Sequence, residues 1–211
     1  MGQLVLQPVS GAGYEETIAK DHLNDSLKYS NHIETGEHSA GVGTYLRRGL
    51  IKFDVSSIPA GVTITSATLS LMKDYDDTAA SYTVSIYQCN RNWVEEQACW
   101  NNYSTGNAWS TAGGGSGTDY DAAKDGSFPT CTDCTDDVYY DCDLNAAGLA
   151  TLIGWYEETI SNYGWFLIQD VEGSAVNRVE YFGSDQTTAK APKLTINYTT
   201  AATGNFFQLF N

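Results

Sequence analysis

Apolar side chains along this chain recur mostly at every second position. Over residues 47–72, RRGLIKFDVSSIPAGVTITSATLSLM, two apolar runs flank a Ser-Ser-Ile-Pro-Ala-Gly turn. Ile51, Phe53 and Val55 share one face of the first run, and Ala67, Leu69 and Leu71 share one face of the second, with Thr68 and Ser70 turned away. This alternation predicts two strands joined by a tight connection, each with one buried face. Residues 4–9 read as an opening strand stopped at Pro8. Alternation returns at Tyr82, Val84 and Ile86 and at Val138, Tyr140 and Cys142, and residues 165–171, 179–182 and 193–198 read as further strands separated by turn-forming Gly, Asp and Asn. One stretch has a different period. Behind a capping Asn145, the residues Leu149, Leu152, Ile153 and Tyr156 recur at i, i+3, i+4 and i+7, which predicts a single short helix.

These elements predict an all-β fold, a two-layer antiparallel jelly-roll β-sandwich with one short helix packed at its end. With 211 residues, 42% of them hydrophobic and only four Pro, the chain suits one folded unit with a sizeable core. We assign residues 1–198 to that domain and residues 199–211 to a C-terminal tail. The polar start of the tail leads into Phe206, Phe207, Leu209 and Phe210, a candidate assembly segment that would dock on the domain itself or on a neighbour.

Four landmarks carry a resemblance. Arg48-Gly49-Leu50 leads through Phe53-Asp54 to Ser56-Ser57-Ile58-Pro59-Ala60-Gly61 and then to Ser66-Ala67-Thr68-Leu69-Ser70-Leu71. Trp93 and Glu95 precede Ala98-Cys99-Trp100-Asn101. Asn162-Tyr163-Gly164-Trp165 follows, and the last landmark is Ala191-Pro192-Lys193-Leu194-Thr195-Ile196, with Ala where the pattern has Arg. In this order they resemble the DNRLRE domains, or disaggregatase-related repeats, which include alginate-type carbohydrate-binding modules. The resemblance implies a β-sandwich. Because one fold hosts many functions, it does not by itself fix a ligand.

Charge narrows the partners. The 26 acidic residues against 11 basic ones give a net charge of −15, a field that repels phosphate backbones and anionic lipid heads. Nucleic acid is therefore excluded as a partner, and no apolar stretch approaches the roughly 18 residues needed to span a membrane, so membrane insertion is not expected. Met1 leads almost directly into Leu4-Val5-Leu6. Either a leader has been removed, or the product leaves its cell without one, as virion proteins do after lysis; the second is the preferred expectation.

The five Cys cannot all pair within one chain. Cys89 and Cys99 flank the excursion through Trp93, and a chain that doubles back there would bring them into disulfide range. Cys131 and Cys134 form a CxxC with Cys142 eight residues on, open to a disulfide between Cys142 and one of the pair, to a metal completed by His or Asp, or to free thiols. Eight Asp and one Lys crowd residues 116–145, and Asp119, Asp121 and Asp125 make a weak candidate metal site whose spacing departs from an EF-hand. No cofactor is required by the sequence, although the resemblance to sugar-binding modules implies a structural calcium. His22, His32 and His38 lack zinc-motif spacing and read as solvated loop residues.

No nucleophile elbow, zinc-protease motif or phosphate-cradling loop occurs, so the chain is expected not to be an enzyme. Trp93, Trp100, Trp155 and Trp165 lie in or beside regular segments and are expected in the core. Tyr103, Trp109 and Tyr120 fall in a long Gly-, Ser- and Thr-rich segment, 101–125, and are the candidate carbohydrate-binding residues, since an exposed ring can stack on the apolar face of a sugar. Two functions remain in view. The first is a non-enzymatic structural protein of a virion capsid or tail, or of an extracellular filament, whose partners are other subunits of a surface assembly and in part glycans. The alternative is a soluble carbohydrate-binding module directed at polysaccharide. Taken as a complete chain ending in an apolar peptide, the sequence favours the first, on an extracellular or virion surface.

Overall fold

The computed structural model describes residues 1–8, 15–26, 31–40, 43–77, 81–173 and 176–200. Its strands are β1 (Gly2–Leu6), β2 (Glu15–Ala19), β3 (His32–Ala40), β4 (Gly43–Ile51), β5 (Val62–Asp76), β6 (Val84–Gln88), β7 (Asn102–Ser104), β8 (Asn107–Ala108), β9 (Gly126–Ser127), β10 (Tyr139–Asp143), β11 (Trp165–Gln169), β12 (Val179–Phe182) and β13 (Lys193–Thr200). The helix α1 (Ala146–Tyr156) begins where the sequence predicts: the Asn145 side chain accepts hydrogen bonds from the backbone N–H groups of Ala147 and Gly148. The tail residues Phe206, Phe207, Leu209 and Phe210 lie outside the described residues, and β13 itself runs on to Thr200.

Eleven strands form one curled antiparallel sheet in the order β1-β13-β5-β12-β3-β4-β11-β6-β9, with β10 also on β5 and β2 also on β4. The two branch points define two layers. Leu69 of β5 is paired with Leu194 of β13 and with Cys142 of β10, so β5 is central to the first layer. Gly49 of β4 is paired with Thr17 of β2 and with Leu167 of β11, so β4 is central to the second. β3 passes between them, pairing with β12 over His32–Thr35 and with β4 from Gly36 onward. The corner falls at Gly36, whose φ of 91° and close neighbours Gln169 and Asn177 leave no room for a Cβ.

The 47–72 stretch does not form a hairpin. β4 and β5 belong to different layers, and residues 52–61 carry the chain across between them, pinned by buried Phe53 and Ile58. Alternation reveals which face a strand buries but not which strand it pairs with. The inner faces meet in a core that includes Leu69, Leu71, Leu194 and Ile196 from the first layer and Ile51, Val84, Ile86 and Leu167 from the second.

The outer face of the second layer is covered as well. Leu50, Phe166, Ile168 and Ile18 point outward into a second cluster, closed by Trp93, Trp100, Trp109 and Tyr120 from the segment between β6 and β9. Every residue of β11 is therefore buried. Its unbroken run Trp165-Phe166-Leu167-Ile168 is the mark of a strand covered on both faces.

Candidate functional site

The aromatic segment is core, contrary to the expectation of an exposed platform. Trp109 is 5% exposed and Tyr120 8%, with only Tyr103 half-buried. The three do come together: Trp109 stands edge-on to Phe166 and Tyr120 is tilted against it, at centroid distances of 5.2 and 5.0 Å, and Tyr103 lies 5.5 Å from Trp109. Trp109 Nε1 donates to the Cys99 carbonyl at 2.9 Å. These rings fill the outer face of β11 and β4, so Trp109 and Tyr120 present no exposed face to a sugar. Trp93, Trp100, Trp155 and Trp165 are buried as expected.

The three candidate metal ligands are each held by protein donors rather than gathered round one point. Asp119 is fully buried, paired with Arg91 at 2.7 Å, and accepts from Ser110 Oγ and from the backbone N–H groups of Ser110 and Gly115. Burial opposes its charge, but these donors prevail and hold the carboxyl below its usual range. Asp121 accepts from Asn90, and Asp125 from Trp165 Nε1 at 2.8 Å. Asp119 fixes the loop, and Asp125 joins the core to the start of α1 through its carbonyl, which receives the Asn145 N–H.

The cysteines correct a further expectation. Cys131 and Cys134 are disulfide-bonded to each other, while Cys89, Cys99 and Cys142 are free and buried. No Cys89–Cys99 bridge forms, and Cys142 is in no disulfide and in no metal-capable cluster among the described residues. Burial pushes the Cys89 and Cys142 thiols up to about 12, so both serve as small apolar core residues.

An open cleft of about 790 Å³ lies elsewhere, between the 54–62 crossing and the end of α1. Ile58, Val62 and Trp155 form its apolar floor; Tyr156, Asp54, Asn162, Glu157 and Glu158 supply the polar groups. Tyr156 hydroxyl donates to the Pro59 carbonyl at 3.0 Å and accepts from the Val62 N–H, which holds the half-buried ring at the cleft. A shallower extension runs along residues 158–162.

The end of α1 breaks two local rules at this cleft. The helix closes in a Schellman-type turn, with Thr159 N–H on the Gly154 carbonyl and Glu158 N–H on that of Trp155, yet the left-handed position holds Glu158, at φ 57°, instead of Gly. Glu157 and Glu158 also add negative charge where the helix dipole is already negative, with no basic residue in the last turn. Asp54 faces the same cleft with its carboxyl held below its usual range by hydrogen bonds from Ser56.

A second grouping lies on the outer surface of β3, β5 and β12. His32, Asp74 and Glu180 each offer one ligand atom, and these atoms all lie within 4.8 Å of one another, the one such convergence of three metal-capable residues among the described residues. His32 and His38 are thus strand residues of β3 set against Asp74 and Asp77, not solvated loop residues. Sequence spacing could not show this, because the partners come from three separate strands.

An antiparallel all-β sandwich, closed outside by an aromatic segment and open at a carboxylate-lined cleft, is the class these features define. The model of the disaggregatase related repeat domain matches residues 16–196, and the chain belongs to that family. Its landmark residues have visible structural work: Asn162 donates to the Phe53 carbonyl and accepts from Gly164 N–H, while Gly164, at φ 75°, sits against the backbone of Ile51 where a Cβ would collide. A search of curated proteins finds no match.

Proposed function

We propose that this chain is a non-enzymatic attachment domain that binds carbohydrate in the cleft between residues 54–62 and the end of α1. The observation that carries this reading is the pair Glu157 and Glu158, held against the helix dipole and, for Glu158, in a left-handed backbone, at the mouth of a cleft with an apolar floor. Backbone strain and unmatched charge of this kind persist where binding gains from them. Carboxylates accept hydrogen bonds from sugar hydroxyls, and the half-buried Tyr156 lines the cleft beside them. The same carboxylates repel anionic polymers, so the reading specifies neutral or amino sugars rather than alginate-like chains.

Catalysis is not part of this reading: Asp54 is held ionised by Ser56, and the carboxyls whose proton affinity is strongly raised, Glu15 and Glu16, lie away from the cleft on β2. The site of action is an extracellular or virion surface, with other subunits of a surface assembly as partners through residues 205–211, whose three Phe and one Leu suit docking on another chain. A glycan array on the purified chain tests the cleft. Hits are expected among neutral or amino glycans, with Tyr156→Ala weakening them by about 1–3 kcal/mol. Hits unchanged by both Tyr156→Ala and the double variant E157Q/E158Q would place binding elsewhere. Light scattering before and after removal of residues 201–211 tests assembly; a folded monomer of unchanged Tm is the expected product of the truncation.

A further inference from the structure

His32, Asp74 and Glu180 are far apart in sequence but come from three hydrogen-bonded neighbours, β3, β5 and β12. Register brings them together. His32 pairs with Phe182, so Glu180 lies two residues along on the same face. β12 then shifts register against β5 between Glu180 and Tyr181, which pair with Tyr75 and Lys73 and leave Asp74 as the extra residue of a bulge. Asp74 Oδ2 approaches His32 Nε2 to 2.7 Å, and the His32 ring is packed against Phe182 at a centroid distance of 5.7 Å. Around this point carboxylates outnumber guanidiniums: Arg178 is shared among Glu180, Glu34 and Asp77, at 2.6, 3.3 and 3.1 Å, and Arg47 is shared between Glu34 and Asp21.

We propose that His32, Asp74 and Glu180 bind a divalent transition-metal ion of the zinc class. An imidazole nitrogen with two carboxylates suits zinc and its neighbours and is a poor set for calcium or magnesium, which take oxygen ligands. Zinc bonds of about 2.0–2.2 Å place tetrahedral ligand atoms about 3.4 Å apart, a separation inside the 4.8 Å spread of these three, with water as the fourth ligand. The bound ion offsets the local excess of negative charge and ties together the strands that pass the chain between the two layers. Because the ligands are assembled only by folding, the ion stabilises the native chain.

The full chain, stripped with EDTA, is titrated with zinc chloride by calorimetry and with cobalt chloride by visible absorption. One saturable zinc site, a rise in Tm with zinc, and a cobalt absorption band that zinc displaces and calcium does not are expected. Each of H32Q, D74N and E180Q weakens zinc binding by roughly tenfold or more, the loss expected on removing even an outer-shell partner. H22Q, on a separate turn, leaves it unchanged. Metal-free Tm values equal to that of the parent identify the variants that fold, and the three single changes provide independent readings. Absence of a saturable site, full binding in folded H32Q and E180Q, or loss of binding in H22Q overturns the assignment.

Discussion

The aromatic segment over β11 and the cleft at the end of α1 are both rich in Asp, Glu and aromatic residues, yet they resolve opposite problems. In the first, Asp119 has an arginine and three further donors, every large ring is packed, and the segment behaves as a lid that was always part of the core. In the second, Glu157 and Glu158 stand against the helix dipole without a basic partner in the last turn, and Tyr156 keeps part of its surface. A satisfied carboxylate in a glycine-rich loop reports architecture, whereas an unmatched one on a regular element reports a place where a ligand can supply what is missing.

The comparison breaks most visibly at Asp119. Asp119→Ala leaves Arg91 and the buried donors of Ser110 and Gly115 without an acceptor, and a loss of about 3–5 kcal/mol is expected in a urea titration; a loss below about 1 kcal/mol would show the loop to be independent of that carboxylate. A pH-dependent effect comes from Glu15 and Glu16 on β2, whose carboxyls burial raises to about 7 and about 8. Each binds its proton more tightly folded than unfolded, so its stabilising contribution is complete below the ordinary value of 4.5 and is lost as pH rises through 7 to 8. Tm is expected to be higher at pH 5 than at pH 8.5, with Glu16→Gln flattening that slope; an equal slope in the variant would assign the dependence to other groups.

At the cleft the sign reverses. Glu158→Gly relieves a left-handed backbone and is expected to stabilise the chain by about 1 kcal/mol while weakening glycan binding. A variant that is more stable and binds equally well would make Glu158 a mere defect. The smallest effect is expected from Trp109→Phe, which costs packing but leaves the affinity of the folded chain for any glycan unchanged; a drop in affinity there would return the site to the aromatic segment.

Much of the architecture was legible in the residues themselves. Asn145 and the i, i+3, i+4 spacing located α1, alternation located β5, β6 and β10, and apolar runs between turn residues located β11, β12 and β13, because cap chemistry and side-chain period are local properties. The landmark residues placed the family. The crossing between β4 and β5, the burial of Trp109 and the pairing of Cys131 with Cys134 were not local. A strand's partner is chosen by the topology of the whole sheet, and a loop's exposure depends on whether the strand beneath has an uncovered apolar face; the run Trp165-Phe166-Leu167-Ile168 was the one sequence sign of this. The sequence by itself determined where α1 and the strands β5, β6 and β10–β13 lie, that the chain is an acidic β-sandwich, and which family it belongs to, while β2 and β3 went unread in a polar stretch. Tertiary structure alone decided which carboxylates are satisfied, which face the cleft, and that His32, Asp74 and Glu180 share one surface, because convergence of distant residues is a property of strand register, and register is fixed only when both layers close on their common core.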